Sequence, residues 1–567
     1  MTGKAVPAPV AGAQPLALKA GSCLEQGRKP GNQDRLGYRI PSGPLLTTKG
    51  AVFALADGIS SSSFSHIASD LAIRGFIDDY YATSDAWSPG HGACQVLETL
   101  HSWLQIQSQR FAPTEPDKGY VCTFSALMLT SQQAWITHVG DSRIYRIRGS
   151  CVEQLTEDHQ QNGCLSRALG MPGPLNPDVH TLPLAAGDGF MLASDGLFDF
   201  IDTATLPALL AYPDLDQAAA ELVARALDNG SEDNLSVVLV KVGQPGNLLA
   251  QDYPLPVPPV LATGDDFDGF VIERELHHSS RSHLYLAKDM DTGQRWVLKT
   301  PSTDLQEQPG YLDRLVREEW LLRRVSCPHL VRSAWPGRQR SYQYIAMEYI
   351  EGQSLAQWQR DNPAPGLDRI RDIVSQLAKA LQTLHRAEIL HQDLRPENVL
   401  IDQAGTVRLI DLGAARVMGL PDSLAPPVPG TVLYAAPEYF VGGYISTQSD
   451  LYSLAVLTYF LLTGRFPYGN SVSRAHTLAA QRKLNYRSVL DDSRPIPLWL
   501  DMSLKKGLHP DPRHRYQDLS EFVAALHQPD SGLALLYKPP LMERHPVRFW
   551  QGVSALLLLA LLVVAAL

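Results

Sequence analysis

Apolar and polar positions follow several distinct patterns along this chain of 567 residues. In the first half, short apolar runs meet acidic turn residues. Ala51–Ala56 runs into Asp57-Gly58, Gly189–Ser194 into Asp195-Gly196, and Leu235–Val242 follows Asp233-Asn234. Apolar runs bounded by turn residues predict buried strands, here with carboxylates at their ends. In the second half, Leu284–Ala287 and Arg295–Lys299 read as paired strands, and Leu312 to Val325 has helical periodicity. Asn398–Ile401 and Val407–Ile410 bracket a turn at Gln403–Gly405, the pattern of a hairpin. The last stretch, Val553 to Leu567, is almost entirely Ala, Val and Leu.

Length alone calls for more than one hydrophobic core. From Gly243 to Gly264 the chain turns to Pro and Gly, including Pro254-Leu255-Pro256-Val257-Pro258-Pro259, which predicts a semi-extended spacer. The expected organisation is a flexible lead (1–15), a first domain (16–243), a linker (244–266) and a second domain (267–528). A juxtamembrane segment (529–548) and a terminal helix (549–567) complete it. About 19 residues at 1.5 Å each span roughly 28 Å, close to the hydrocarbon thickness of a bilayer. Arg544 and Arg548 precede this segment and Trp550 stands where an interfacial aromatic belongs. The expectation is a single C-terminal membrane helix with the catalytic domains on the cytoplasmic side.

The net charge of −10 and the lack of a basic block exclude nucleic acid as an expected partner. The six cysteines are scattered without a Cys-x-x-Cys pair, which argues against a zinc ribbon or a disulfide framework.

Four acidic sites in the first half, Asp34, Asp57, Asp195 and Asp233, lie beside strand ends or a tight turn with no His or Cys close in sequence. Oxygen-only ligands favour hard cations, Mg²⁺ or Mn²⁺. The segments Asn32-Gln33-Asp34, Ala56-Asp57-Gly58, Gly140-Asp141-Ser142-Arg143, Leu155-Thr156-Glu157-Asp158-His159, Ser194-Asp195-Gly196-Leu197 and Asp233-Asn234 resemble the PPM-type metal-dependent Ser/Thr phosphatases in order and spacing. The resemblance implies a β-sandwich flanked by helices and two-metal hydrolysis of phosphoserine or phosphothreonine. It implies Asp57 and the Gly58 carbonyl at the metal pair, Asp34, Asp195 and Asp233 completing the coordination, and Asp141 at a weaker third metal. Lys29 stands where the family usually has a phosphate-binding Arg, with Arg28 just before it. Ile59-Ser60-Ser61-Ser62 replaces the usual Gly-rich continuation after Gly58.

In the second half, His391-Gln392-Asp393-Leu394-Arg395-Pro396-Glu397-Asn398 and Asp411-Leu412-Gly413 closely resemble the catalytic loop and metal-binding motif of the Hanks-type protein kinases. A carboxylate that accepts a hydroxyl proton, with an amide and a second carboxylate for Mg²⁺, suits phosphoryl transfer from ATP. The resemblance implies a bilobal fold with Asp393 as catalytic base, and Asn398 and Asp411 as Mg²⁺ ligands. Lys299 would grip the ATP phosphates, with Glu318 or Glu319 as its partner; the distance to Pro328 favours Glu318. Glu348 and Ile350 fall in the segment whose backbone would hold adenine, and Gly430-Thr431 and Ala436-Pro437-Glu438 close the activation segment. Asp450 and Arg515 match bracing positions. Arg395 stands where a Lys usually meets the γ-phosphate, and Gln392 replaces an Arg that would pair with an activation-loop phosphate. The phosphate-covering loop reads His277-His278-Ser279-Ser280-Arg281-Ser282 in place of Gly-x-Gly-x-x-Gly. Side chains there hinder the close backbone approach that glycine permits.

The expected whole is a multidomain α+β, membrane-tethered, bifunctional enzyme of bacterial type. Its phosphatase would act on Ser/Thr phosphoproteins, its own kinase domain included, and its kinase on Ser/Thr. Two rival readings stand beside it. In one, the second half is a nucleotide sensor that only regulates the phosphatase; in the other, both sites are dead and the chain is a membrane scaffold.

Overall fold

The computed structural model describes residues 16–528 apart from 116–117, 162–163, 247–254, 280, 304–308, 334–339, 419–431 and 491–495, together with 550, 551 and 554. The lead, the segment 529–548, all but three residues of the expected membrane helix, and Gly430-Thr431 lie outside the described residues. Among the described residues no helix is long and apolar enough to cross a membrane. The chain divides into two compact units. One joins Met1–Ser326, Arg332–Tyr349 and Val417–Leu424, and the other Cys327–Val331, Ile350–Arg416 and Ala425–Leu567.

The first unit begins with strands β1 (Ala17–Glu25), β2 (Arg35–Arg39) and β3 (Ala51–Ala56), then helices α1 (Ser65–Ala82) and α2 (Pro89–Phe111). Strands β4 (Phe124–Leu129), β5 (Gln133–Val139), β6 (Arg143–Arg148), β7 (Cys151–Gln154), β8 (Asp178–Pro183) and β9 (Gly189–Ala193) follow, and helix α3 (Leu215–Asp228) leads to β10 (Leu235–Gln244). They form two antiparallel five-stranded sheets, in the orders β1-β10-β9-β6-β7 and β8-β5-β4-β3-β2. The period-two alternation of β10 decides what packs where. Val238, Val240 and Val242 join Phe53, Leu55, Leu127 and Ile136 between the sheets. Val237 and Leu239 face Leu215, Ala219, Leu222 and Ala226, the apolar side of α3. On the outside of the second sheet, Phe76 of α1 meets Phe124 with ring centroids 4.8 Å apart.

The same unit continues with β11 (Phe270–His278), β12 (Ser282–Asp289), β13 (Arg295–Pro301), helix α4 (Pro309–Arg324) and β14 (Ile345–Glu348). The four strands pair antiparallel in chain order, as expected for Leu284–Ala287 and Arg295–Lys299. The expected spacer departs from a free tether over its described part. Gln343 donates from its backbone N to the Pro256 carbonyl (3.0 Å) and from Nε2 to the Leu255 carbonyl (2.6 Å). Leu261 is buried against Phe267 and Phe270. Prolines remove N–H donors, but the carbonyls remain and the interleaved leucines supply an apolar anchor.

In the second unit β15 (Gly352–Ser354), β16 (Val399–Asp402) and β17 (Val407–Leu409) form a small antiparallel sheet. Helices α5 (Leu367–Arg386), α6 (Thr447–Thr463), α7 (Leu498–Gly507) and α8 (Leu519–His527) make up most of the rest. The predicted hairpin is β16–β17, with Val399 opposite Leu409. Its turn closes through Gly405, whose φ of 84° suits glycine and whose N–H reaches the Asp402 carbonyl at 3.0 Å.

Candidate active sites

Strand β3 is buried along its whole length and delivers Asp57 to the end of the sandwich. The Asp57 backbone is clamped on both sides: its N–H donates to Thr123 Oγ1 at 3.0 Å, and its carbonyl accepts from the Thr123 N–H at 2.7 Å. Asp34 is buried, with Oδ2 accepting from Ser236 Oγ at 2.7 Å and Oδ1 shielded from water without a hydrogen-bond partner. Asn234 ties the remote pieces together. Its Nδ2 donates to the carbonyls of Gln26 (2.8 Å) and Gly31 (3.0 Å), and its Oδ1 accepts from Gln33 N (2.9 Å). The turn carrying Asp34 and the turn carrying Asp233 are thereby joined. Asp195 opens a short helix and accepts from Gly196 N at 2.7 Å, while Asp141 accepts from Gln160 Nε2 at 2.8 Å.

The carboxylates feel one another. Burial, then the charges of Asp34, Asp195 and Asp141, hold the Asp57 carboxyl well above the usual carboxylate range. Burial, then Asp141 and Asp233, push Asp195 up to about 6. Burial likewise raises Asp34 and Asp141. Packing like charges in a low-dielectric site is unfavourable unless a cation is held there. Among the described residues, no three His, Cys, Asp or Glu side chains stand in finished ligand geometry. Four of the carboxylates are turned onto protein donors: Asp34 to Ser236, Asp233 to Lys29, Asp195 to Gly196 N and Asp141 to Gln160. The donor set, acceptor oxygens with an unsatisfied buried Oδ1 on Asp34, fits a hard divalent cation.

Lys29 lies with Asp233 at 2.7 Å and Ser60 Oγ at 2.7 Å. Arg28 is exposed and paired with Glu232 at 3.2 Å. Sequence reasoning named no role for Asn234, Thr123 or Ser236. Asn234 adjoins a named carboxylate and Ser236 lies two residues further on, so alternation along the strand was an available signal; Thr123 had none.

In the second half, the candidate residues fall in two units. In the first, β13 carries Lys299 and α4 carries Glu318, with Lys299 Nζ to Glu318 Oε1 at 2.9 Å and Oε2 at 2.7 Å. Glu319 points elsewhere, into a buried cluster with Arg323 and Arg340. Glu348 ends β14, its N–H donating to the Arg332 carbonyl at 2.9 Å. In the loop before Ser282, Ser279 Oγ accepts from Arg281 N (3.3 Å) and Ser282 N (3.1 Å), so its hydroxyl engages backbone donors that glycines would leave open.

In the second unit, Asn398 Nδ2 donates to Asp393 Oδ2 (3.0 Å) and to the Asp393 carbonyl (2.9 Å). Asp411 follows β17 and accepts from Gly413 N at 2.9 Å. Arg395 pairs with Glu397 at 2.9 Å. The buried Asp450 accepts from the N–H groups of His391 and Gln392 and meets His385 Nε2, each at 2.9 Å. Burial works to raise the Asp450 carboxyl, but these bonds and the nearby imidazoles hold it below the usual range. They also hold Gln392 at φ 65°, a left-handed conformation unusual for a residue with a Cβ. Arg515 reaches Glu438 at 2.7 Å in an almost fully buried pair.

A model of the protein phosphatase 2C family matches residues 26–240, and a model of the protein kinase domain matches residues 270–529. The chain carries a protein phosphatase 2C domain and a Hanks-type protein kinase domain. The kinase domain is similar to the serine/threonine-protein kinase pkn2 of Myxococcus xanthus, 34% identical over 237 residues, 40% of this chain and 27% of that protein. It is also similar to a probable serine/threonine-protein kinase PknB of Lactococcus lactis, 27% identical over 258 residues, 45% of this chain and 41% of that protein. The chain therefore spans less than half the length of either relative. The phosphatase domain is similar to the crystal structure of the Mycobacterium tuberculosis serine/threonine phosphatase PstP/Ppp, at 23% identity and a TM-score of 0.35. That match covers 40% of this chain and 99% of that one.

Proposed function

We propose that this chain is a bifunctional signalling enzyme. Its domain over 16–243 removes phosphate from Ser/Thr phosphoproteins, and its domain over 267–528 transfers phosphate from ATP to protein Ser/Thr. The observation that carries the reading is the burial of Asp57 among Asp34, Asp195 and Asp141 in the same chain as a Lys299–Glu318 ion pair.

In the phosphatase domain, Asp34, Asp57, the Gly58 carbonyl, Asp195 and Asp233 would hold two Mn²⁺ or Mg²⁺ ions, with Asp141 at a weaker third. The ions supply an activated water for in-line attack on the phosphoester. Thr123 and Asn234 fix the backbone turns that carry these carboxylates. Lys29, with Arg28 beside it in sequence, contributes positive charge toward the substrate phosphate. In the kinase domain, Lys299 and Glu318 orient ATP phosphates, and the backbone at Glu348 and Ile350 receives adenine. Asn398 and Asp411 would hold Mg²⁺, which supplies charge neutralisation at the phosphates. Asp393 accepts the substrate hydroxyl proton, with Asn398 steadying its carboxylate. Arg395 adds positive charge beside the transferred group.

Val553–Leu567, preceded by Arg544, Arg548 and Trp550, anchors the chain in a membrane and leaves both domains cytoplasmic. Substrates include the kinase domain's own phosphosites, which the shared chain keeps close. A second reading, a kinase domain that senses nucleotide with weak or no transfer, is favoured by the Ser279 hydroxyl on the backbone donors of its loop.

Mass spectrometry of phosphosites on the purified protein after incubation with ATP tests the proposal. Wild type should carry fewer phosphates than Asp57→Ala, and Asp393→Ala should carry none. Equal phosphorylation of wild type and Asp57→Ala would remove the kinase domain from the phosphatase's substrates. Equal phosphorylation of wild type and Asp393→Ala would leave the nucleotide-sensing reading in place.

A further inference from the structure

Helix α4 has two adjacent glutamates, about 100° apart around the helix axis. Glu318 turns toward β13 and Lys299, while Glu319 turns to a neighbouring flank, where the phosphatase domain lies within the same compact unit. That flank is buried: Trp320 is 0% and Glu319 1% exposed. The last turn of α1 and the turn that joins it to α2 cover it. Ser84 Oγ donates to Glu319 Oε2 at 2.5 Å, and Arg323 bonds the Thr83 carbonyl at 3.1 Å and Asp85 at 3.3 Å. Arg324 Nε meets Asp79 at 3.0 Å, and the Trp87 and Trp320 rings lie edge to face with centroids 5.7 Å apart. Behind Glu319, Arg340 closes the ring of charges, and Lys49 reaches toward Asp85 at 3.6 Å.

This is a built interface. Side chains on the phosphatase part are matched in charge and shape to one face of a helix in the kinase part. Buried charges of this kind are costly unless their partners stay in place, so the contact favours one orientation of α4. Because Glu318 and Glu319 share a rigid helix, any rotation that frees Glu319 from Ser84 also draws Glu318 off Lys299. We propose that the α1–α2 turn of the phosphatase domain is a positioning element for the kinase, holding α4 so that Glu318 stays on Lys299. The proposal rests on the kinase reading above for its consequence in phosphoryl transfer. Asp79, Ser84, Asp85 and Trp87 are then positioning residues, acting on the kinase site through α4.

The test uses the full chain with Asp79→Arg, the exchange Asp79→Arg/Arg324→Asp, and Asp85→Ala. Three quantities are read: hydrogen exchange of amides 315–322, kcat/KM for phosphorylation of a protein substrate with ATP, and Mn²⁺-dependent hydrolysis of p-nitrophenyl phosphate. The proposal expects Asp79→Arg and Asp85→Ala to speed exchange in 315–322 about tenfold and to lower kinase kcat/KM about tenfold. Phosphatase turnover, which also reports that the domain is folded, should stay within twofold. The exchanged pair should recover both quantities. Exchange and kinase rate within twofold of wild type in both single variants would overturn it, as would a kinase loss that the exchanged pair does not restore. If wild type transfers no more phosphate than Asp393→Asn, the kinase reading has failed. Hydrogen exchange still decides whether the turn holds the helix: unchanged exchange refutes it, and loss restored by the exchanged pair supports it.

Discussion

Replacing Gly196 by Ala tests how tightly the phosphatase carboxylates are held. A Cβ at this position would lie 2.2 Å from the Asn234 carbonyl oxygen and 2.8 Å from Asp233 Cβ. Carbon atoms rest at roughly 3.5–4.0 Å, so the Asp233-Asn234 turn must retreat by about 1 Å. Backbone is what blocks the methyl, so no flexible side chain can swing away to accommodate it. Overpacking of this size costs on the order of 2 kcal/mol of stability. The effect on rate is larger, because misplacing a catalytic group by about 1 Å costs about 100-fold. The same movement strains the bonds from Asn234 to Gln26, Gly31 and Gln33, which join the two turns. Initial rates of p-nitrophenyl phosphate hydrolysis across a Mn²⁺ titration, with thermal melting in parallel, should show Gly196→Ala folded but about 100-fold slower. Its Mn²⁺ requirement should move to higher concentration. Gly31→Ala is the control: it lies in the Asp34 turn, but its Cβ would meet nothing within 4 Å. It should retain activity within about threefold, since no displacement is required of its neighbours. Activity of Gly196→Ala within threefold of wild type at every Mn²⁺ concentration would refute the reasoning, as would an equal loss in Gly31→Ala.

Two other outcomes follow from the geometry. Ser279→Ala releases the backbone donors of Arg281 and Ser282; at about 1 kcal/mol for a hydrogen bond, a fluorescent ATP analogue should bind about fivefold tighter, and unchanged or weaker binding would count against the loop argument. Burial pushes the Lys49 ammonium down to about 8 against the opposing pull of Asp85, so between that value and its ordinary 10.5 the unfolded chain holds a proton the folded one has released. Stability of wild type relative to Lys49→Met should therefore rise with pH from 8 to 10 by about 1 kcal/mol per unit in urea unfolding, and a pH-independent difference would show that Lys49 stays charged.

Much of the fold was legible because its signals are local. Asp57 and Asp195 follow short apolar runs bounded by turn residues, which predict the buried strands observed, and the hairpin from Val399 to Leu409 announces itself by apolar runs around Gly405. The order of the acidic segments and of the kinase motifs was likewise written in the chain. The choice of Glu318 over Glu319 rested on its distance to Pro328 alone, and Lys299 does meet Glu318. Where Glu319 turns instead was not written, because only packing fixes the rotation of the helix. Nor was the ion pair between Lys29 and Asp233, residues distant in sequence but joined across a sheet end. The Pro-rich stretch looked like a spacer, since composition records missing donors but cannot record a Gln343 waiting to meet its carbonyls.

By itself the sequence determined the two domain types, the strand ends that bear carboxylates and the substitution of the phosphate-covering loop, all properties of short segments. Tertiary structure alone decided that the phosphatase turn at Ser84-Asp85 seats the flank of α4, and that Glu319 serves this contact. Complementary charges brought together from distant positions acquire their partners only when the chain is packed.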